Sequence, residues 1–245
     1  MLRLIRSART VRGAIVAPGD KSISHRAAIF NAIADGEATI QDFQRAADCM
    51  ATLRCLGALG VDWRCQDETT LTIRGRGRHA LREPDRVLDC RNSGTTMRLL
   101  AGLLAPQPFF SVLSGDRSLL SRPMARVIQP LRLLGADISG RRGDTRAPLA
   151  IRGSPLKGVR YHMPVASAQV KSALIMAALY ASGETVLEQP ASARDHTERM
   201  LGAMGAGLRS DGGTVRVAPL AGDLSPISLR VPGDISAATA WLVLG

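Results

Sequence analysis

The sequence predicts an α/β chain built from three copies of a β-α-β-α-β-β unit. Three observations carry this. The stretches "LGALGVDW" from Leu56, "LRLLGADI" from Leu131 and "LGAMGAGL" from Leu201 resemble one another, and their glycines Gly60, Gly135 and Gly205 lie 75 and 70 residues apart. A second helix-like series, "KSISHRAAIFNAIADG", "NSGTTMRLLAGLLA" and "SAQVKSALIMAALYASG", comes earlier in each copy. A short alternating pattern follows each glycine, as in a hairpin. Self-similarity at a near-fixed period means one supersecondary unit repeated around a shared core.

Strand-like runs at 11–17 and 87–90 precede the first two early helices. Each early helix begins in small polar residues and continues with an apolar face. Each late helix ends at its glycine, where a residue just past the last turn must turn left-handed. The hairpins "VDWRCQDETTLTIRG", "ADISGRRGDTRAPLAIRG" and "AGLRSDGGTVRVAP" place their turns at Gln66-Asp67-Glu68, Gly143-Asp144 and Asp211-Gly212-Gly213. Three four-stranded sheets with helices packed between them then form one domain, expected over 19–231.

"PGD" marks both edges of that domain, at Pro18-Gly19-Asp20 and Pro232-Gly233-Asp234. The expectation is that the chain crosses between two bodies at these points. Residues 1–18 would be an N-terminal strand segment of a second domain, and 232–245 the start of a return into it. "DISAATAWLVLG" opens like a capped helix and stops with its apolar face just established, so the chain is expected to be truncated.

A hydrophobic content of 45% supports a core, and no run reaches the ~18 apolar residues of a membrane span. The N-terminus lacks the apolar stretch of a signal peptide. Cys49, Cys55, Cys65 and Cys90 show no metal-ligand spacing, so buried reduced thiols in the cytoplasm are expected and a metal is not. The net charge of +11 points to anionic partners. With 3% aromatics there is little on which to stack bases, so small anions lead and a nucleic-acid-binding module is the alternative.

The first turns of the early helices are where such anions would sit. Helix N-termini expose backbone N–H groups and carry partial positive charge. Lys21, one of three lysines among 32 Lys and Arg residues, stands at the first tip. Ser22 and Arg26 share a face behind it. Asn92, Ser93, Gly94 and Thr95 form the second tip, and Gly94 would admit a ligand close to the backbone. Ser167 and Gln169 offer donors at the third. Ordinary N-capping is the competing reading of each turn taken singly. Together they predict a pocket for a small polyanion.

At "PGDKSISHR" the sequence resembles the 5-enolpyruvylshikimate-3-phosphate synthase family. The motifs "NSGTTMRLL", "GDRSLLSRPM", "SAQVKSALIMAAL", "SARDHTERML" and "VPGDISAA" agree in order. The resemblance implies an inside-out α/β prism of two domains, each of three β-α-β-α-β-β units. It implies enolpyruvyl transfer from phosphoenolpyruvate to the 5-hydroxyl of shikimate 3-phosphate, within the shikimate pathway, without metal or organic cofactor. The sister family that acts on UDP-N-acetylglucosamine typically has a reactive loop cysteine, and "GDRSLLSRPM" has none.

By the same resemblance, Lys21, Ser22, Arg26, Ser167, Ala168, Gln169 and Arg194 bind shikimate 3-phosphate. Lys21, Gly94, Arg122 and Gln169 bind phosphoenolpyruvate, at the position where glyphosate acts in the family. Lys21 is the expected catalytic residue. A compact ammonium on a flexible stem can lie between two anions, whereas a planar guanidinium demands fixed geometry. His25, Asp48, Arg98, Lys171 and His196 lie in or near these motifs and are read as supporting residues. Arg91 stands where the family usually has Gly, so a strained backbone and a side chain intruding on the phosphoenolpyruvate position are expected.

The family continues for a second half that carries the proposed general base. No carboxylate here matches that role. The chain alone is expected to be a monomer that binds shikimate 3-phosphate without turning it over, and to need the missing C-terminal half or a partner chain for activity.

Overall fold

Three four-stranded sheets wall a set of buried helices in the computed structural model, which describes residues 12–244. The first unit holds α1 (Lys21–Ala32), β1 (Asp35–Gln41), α2 (Ala47–Ala58), β2 (Asp62–Cys65) and β3 (Leu71–Arg76). The second holds β4 (Leu88–Asp89), α3 (Gly94–Leu104), β5 (Phe110–Ser114), the single turn α4 (Arg117–Leu120), α5 (Ala125–Leu133), β6 (Asp137–Gly140), the single turn α6 (Arg141–Asp144) and β7 (Arg146–Arg152). The third holds β8 (Arg160–His162), α7 (Ala168–Ala178), β9 (Thr185–Glu188), α8 (His196–Ala203), β10 (Leu208–Asp211) and β11 (Thr214–Val217). β12 (Leu229–Arg230) and α9 (Ile235–Leu244) follow.

The sheet orders are β12-β1-β3-β2, β4-β5-β7-β6 and β8-β9-β11-β10. In each, the first two strands run parallel and the rest antiparallel. The predicted repeat is therefore present, with one correction. The strand expected at 11–17 is not formed: residues 12–18 carry none, and residues 1–11 lie outside the described residues. β12, from the other end of the chain, takes its place beside β1, pairing Ile40 with Leu229. The first unit closes by a return of the chain, not by its own leading strand.

The glycines behave as their positions demand. Gly60, Gly135 and Gly205 all have positive φ, at 87°, 103° and 94°. An L-residue with a Cβ would be strained there.

Burial explains the layering. α1, α3 and α7 are buried on nearly every side, including Ile29, Phe30, Leu99, Leu100, Leu174 and Ile175. Each such side chain contributes about 1.5–3 kcal/mol on leaving water. α2 packs on α3, α5 on α7, and α8 back on α1, so the three units close on themselves. α3 and α7 are in close contact at Gly102, where a Cβ would lie 2.0 Å from the Ala173 carbonyl oxygen.

The two "PGD" stretches lie side by side. Gly19 and Gly233 form an antiparallel bridge. Asp20 N–H donates to the Pro232 carbonyl and Asp234 N–H to that of Pro18, both at 2.8 Å. Cys49, Cys55 and Cys90 are buried free thiols and Cys65 is a half-buried one.

Candidate anion-binding site

The N-terminal turns of α1, α3 and α7 converge with the loop before α8 on one cavity of about 360 Å³. That is within the range of small-ligand pockets. Ser22, Arg26, Ser167, Ala168, Gln169 and Arg194 all line it. They come from positions up to 172 residues apart, and no acidic side chain lines the cavity with them.

Each tip is capped, so capping and site-building coexist. Asp20 accepts from Ile23 N–H at 2.8 Å, Ser93 from Thr96 N–H at 3.1 Å and Ser167 from Val170 N–H at 3.5 Å. Asp234 reaches across from the second "PGD" and accepts from Lys21 N–H at 3.3 Å.

Arg26 is the anchor. It is 3% exposed, and its Nε donates to Thr197 Oγ1 and its Nη2 to Ser172 Oγ, both at 2.7 Å. Its Nη1 donates to the Ser22 carbonyl at 3.0 Å. The proton order follows. Ser172 spends its hydrogen on the Ala168 carbonyl at 2.6 Å, so Thr197 donates to Ser172 at 2.6 Å and accepts from Arg26. Burial lowers the Arg26 pKa to about 10, which still leaves the guanidinium charged at neutral pH. Arg194 is exposed and donates to Ser22 Oγ at 3.3 Å; it pairs with neither Asp195 nor Glu198.

Gly94 and Arg122 form an adjoining cluster. A Cβ on Gly94 would lie 2.6 Å from Arg98 Nη1 and 3.2 Å from Arg122 Nη1, so two guanidiniums press against this glycine. Arg122 donates to Asn92 Oδ1. Arg98 Nη1 donates to Gln169 Oε1 at 2.6 Å, and Gln169 Nε2 donates to Thr95 Oγ1 at 2.9 Å. Gln169 thus joins the two clusters, with its amide orientation set by Arg98. Burial lowers the Arg98 pKa to about 10, and Arg126 and Arg122 add repulsion.

Lys21 stands beside this cavity and does not line it. Its Nζ lies 3.1 Å from Asp48 Oδ2, half exposed. His25 is fully buried, its Nδ1 2.7 Å from Thr52 Oγ1. Lys171 and Glu198 form a buried pair at 2.5 Å, an ionic approach without well-directed hydrogen-bond geometry. Lys171 Nζ also donates to the Ala193 carbonyl at 3.4 Å, in the loop that carries Arg194. Half-buried His196 has its pKa lowered by desolvation and by Arg26.

Arg91 is left-handed, with φ 51°. Such a backbone costs a non-glycine residue about 1–2 kcal/mol. Its side chain does not intrude on Gly94. It turns back to Asp89, with Nε 3.2 Å from Oδ2, and lines a different cavity.

Thr95, read in the second tip, lines the cavity, whereas sequence reasoning missed Ser172, Thr197 and Asp234. Ser172 lies four residues after Ala168 on one helix face, a usable signal; Thr197 had none. Asp234 was signalled by the second "PGD" but not assigned a contact.

Fold and site together define a threefold α/β repeat whose helix tips bring basic, amide and hydroxyl side chains to one cavity. Residues 5–245 match the family model for EPSP synthase (3-phosphoshikimate 1-carboxyvinyltransferase), and the chain belongs to that family. It is 56% identical over 241 residues to the 3-phosphoshikimate 1-carboxyvinyltransferase of Citrifermentans bemidjiense, covering 98% of this chain and 56% of that one. Against that of Roseiflexus castenholzii it is 52% identical over 246 residues, covering 99% and 57%. The solved EPSP synthase of Acinetobacter baumannii superposes with a TM-score of 0.89 at 43% identity, covering 94% of this chain and 52% of that one. The chain therefore spans about half the length of the curated relatives it matches.

Proposed function

We propose that this chain is the shikimate 3-phosphate-binding part of an enzyme that transfers the enolpyruvyl group of phosphoenolpyruvate to the 5-hydroxyl of that sugar-like acid. The observation that carries the reading is the convergence of Ser22, Arg26, Gln169 and Arg194, from three helix tips and one loop, on a single cavity. Ser22, Ser167, Gln169, Arg26 and Arg194 supply donors to the phosphate and carboxylate, with the Ala168 backbone between. The Gly94–Arg122 cluster next to Gln169 takes phosphoenolpyruvate. Guanidinium forks suit both anions.

In the reaction, the substrate hydroxyl gives up its proton and adds to C2 of phosphoenolpyruvate while C3 gains a proton, and the tetrahedral intermediate then loses phosphate from C2 and a proton from C3, restoring the double bond. Lys21 is the catalytic candidate. Its ammonium is half exposed at the tip of α1 on a flexible four-carbon stem, so it can leave Asp48 for a bound anion. Removing the hydroxyl proton needs a base within hydrogen-bond reach. None of this chain's carboxylates lines the cavity, so these 245 residues alone bind without turnover. Residues 19–231 are the binding domain, the flanking segments belong to a second body, and activity needs the remaining half. On the family resemblance the protein is a cytoplasmic monomer. Among the described residues no helix is long and apolar enough to cross a membrane.

Calorimetric titration of the purified chain with shikimate 3-phosphate tests this. Saturable binding is expected, weakened at least about tenfold by Lys21→Ala and by Arg194→Ala, each with an unchanged melting curve. Equal affinity in all three proteins, or turnover by the chain alone, would overturn it.

A further inference from the structure

We infer that the cavity between α2, β2 and the segment entering β4 is a second binding site, for a small planar aromatic anion. The inference does not rest on the function proposed above. The cavity measures about 400 Å³, as large as the first, and shares no lining residue with it.

Charge comes first. Arg54, Arg86 and Arg91 line the cavity, and Asp89 is the only carboxylate among the lining residues. Asp89 is taken by Arg91, and Arg86 has its sequence neighbour Asp85 at 3.3 Å. Arg54 has no carboxylate within ion-pair distance among the described residues. A carboxylate or phosphate entering here meets guanidinium forks suited to it. Arg91, whose backbone is left-handed with φ 51°, is turned back toward Asp89 and lines this cavity and not the Gly94 cluster.

The apolar wall is also built. Trp63 is one of two tryptophans in the chain, and it lines the cavity with Val87, which is 52% exposed. Its indole lies against the helix at Gly57, where a Cβ would come 3.1 Å from Nε1. Glycine inside a helix is disfavoured against alanine, and here it makes room for the indole. Trp63 is half-buried, and its N–H donates to no side chain or carbonyl among the described residues. A flat ring against the indole, with its anionic group toward Arg54 and Arg91, uses every one of these features.

Fluorescence titration in a Trp241→Phe background, where Trp63 is the one remaining tryptophan, tests the site. The probe is phenyl phosphate, with cyclohexyl phosphate and inorganic phosphate alongside at the same ionic strength. Saturable quenching by phenyl phosphate is expected, at least about tenfold tighter than by either control. Arg54→Ala and Arg91→Gly each weaken it about tenfold, while saturating shikimate 3-phosphate leaves it unchanged. Quenching that never saturates, equal affinity for inorganic phosphate, indifference to both substitutions, or displacement by shikimate 3-phosphate would each overturn the inference. Because the reporter is Trp63, failure at the first cavity and failure at this one are read separately.

Discussion

Arg26 Nη2 donates to Ser172 Oγ at 2.7 Å and so joins α1 to α7 across 146 residues of chain. The same guanidinium holds Thr197 of α8. One buried cation thus locks the elements that bound the candidate site, and its worth can be measured apart from any ligand. Arg26→Leu removes hydrogen bonds to a charged group worth about 1.5–3 kcal/mol each, partly offset because Thr197 and Ser172 still bond one another. A net loss of about 2–3 kcal/mol is expected in urea unfolding. A loss under about 0.5 kcal/mol would show that the lock is ornamental.

Gly102 and Gly202 make a matched pair for thermal melts. At Gly102 an added Cβ meets the Ala173 carbonyl oxygen at 2.0 Å, and that atom is backbone within a packed helix. Overpacking of this kind costs about 1–3 kcal/mol. At Gly202, inside α8, nothing lies within 4 Å, so alanine gains up to about 1 kcal/mol of helix propensity. Gly102→Ala should lower the midpoint by several degrees and Gly202→Ala should raise it slightly. A rise for both would mean that α3 and α7 are not held in contact.

Much of this was legible, for physical reasons. The left-handed glycines after the late helices, the hairpin turns and the capped helix tips are local features, fixed within a few residues. Gly212 and Gly213, both with positive φ, form the tight turn read at that position. What was not legible was long-range. β12 is two residues long and carries no period, so nothing in the sequence said that it would replace the missing first strand. The Lys21–Asp48 and Lys171–Glu198 pairs join different elements, and no spacing rule reaches across elements. Arg91 was read half correctly: the strained backbone expected there is present, with φ 51°, whereas the direction of its side chain depended on Asp89.

His25 gives the fold an acid sensitivity of known sign. Burial lowers its pKa from 6.5 to about 3, Asp48 opposes this, and Lys21 and Arg26 reinforce it. The folded protein keeps the ring neutral while the unfolded chain takes up a proton near its ordinary value. Below pH 6.5 the unfolded state therefore binds one more proton. The stability from this group is fully present above that pH and is lost on acidification toward pH 3. The slope grows from about 0.7 kcal/mol per pH unit at pH 6.5 to about 1.4 near pH 5, as the unfolded ring fills with protons. His25→Gln should remove that slope from urea-unfolding free energies between pH 6.5 and 5, whatever it does to stability at pH 7. An unchanged slope would place the charge change elsewhere.

Lys171 and Glu198 are the most buried ion pair described, with side chains 1% and 7% exposed. Breaking such a pair from one side strands a charge and costs about 3–5 kcal/mol, whereas replacing both partners with apolar groups is often neutral or better. Lys171→Met should therefore be severely destabilised and Lys171→Met with Glu198→Leu should recover most of the loss, a coupling that a double-mutant cycle reads directly. Stability is not all the pair does, because Lys171 also holds the Ala193 carbonyl beside Arg194. The recovered double variant should still bind shikimate 3-phosphate several-fold more weakly than wild type. Recovery of both stability and affinity would reduce the pair to a packing choice, and recovery of neither would mean that the two charges act independently.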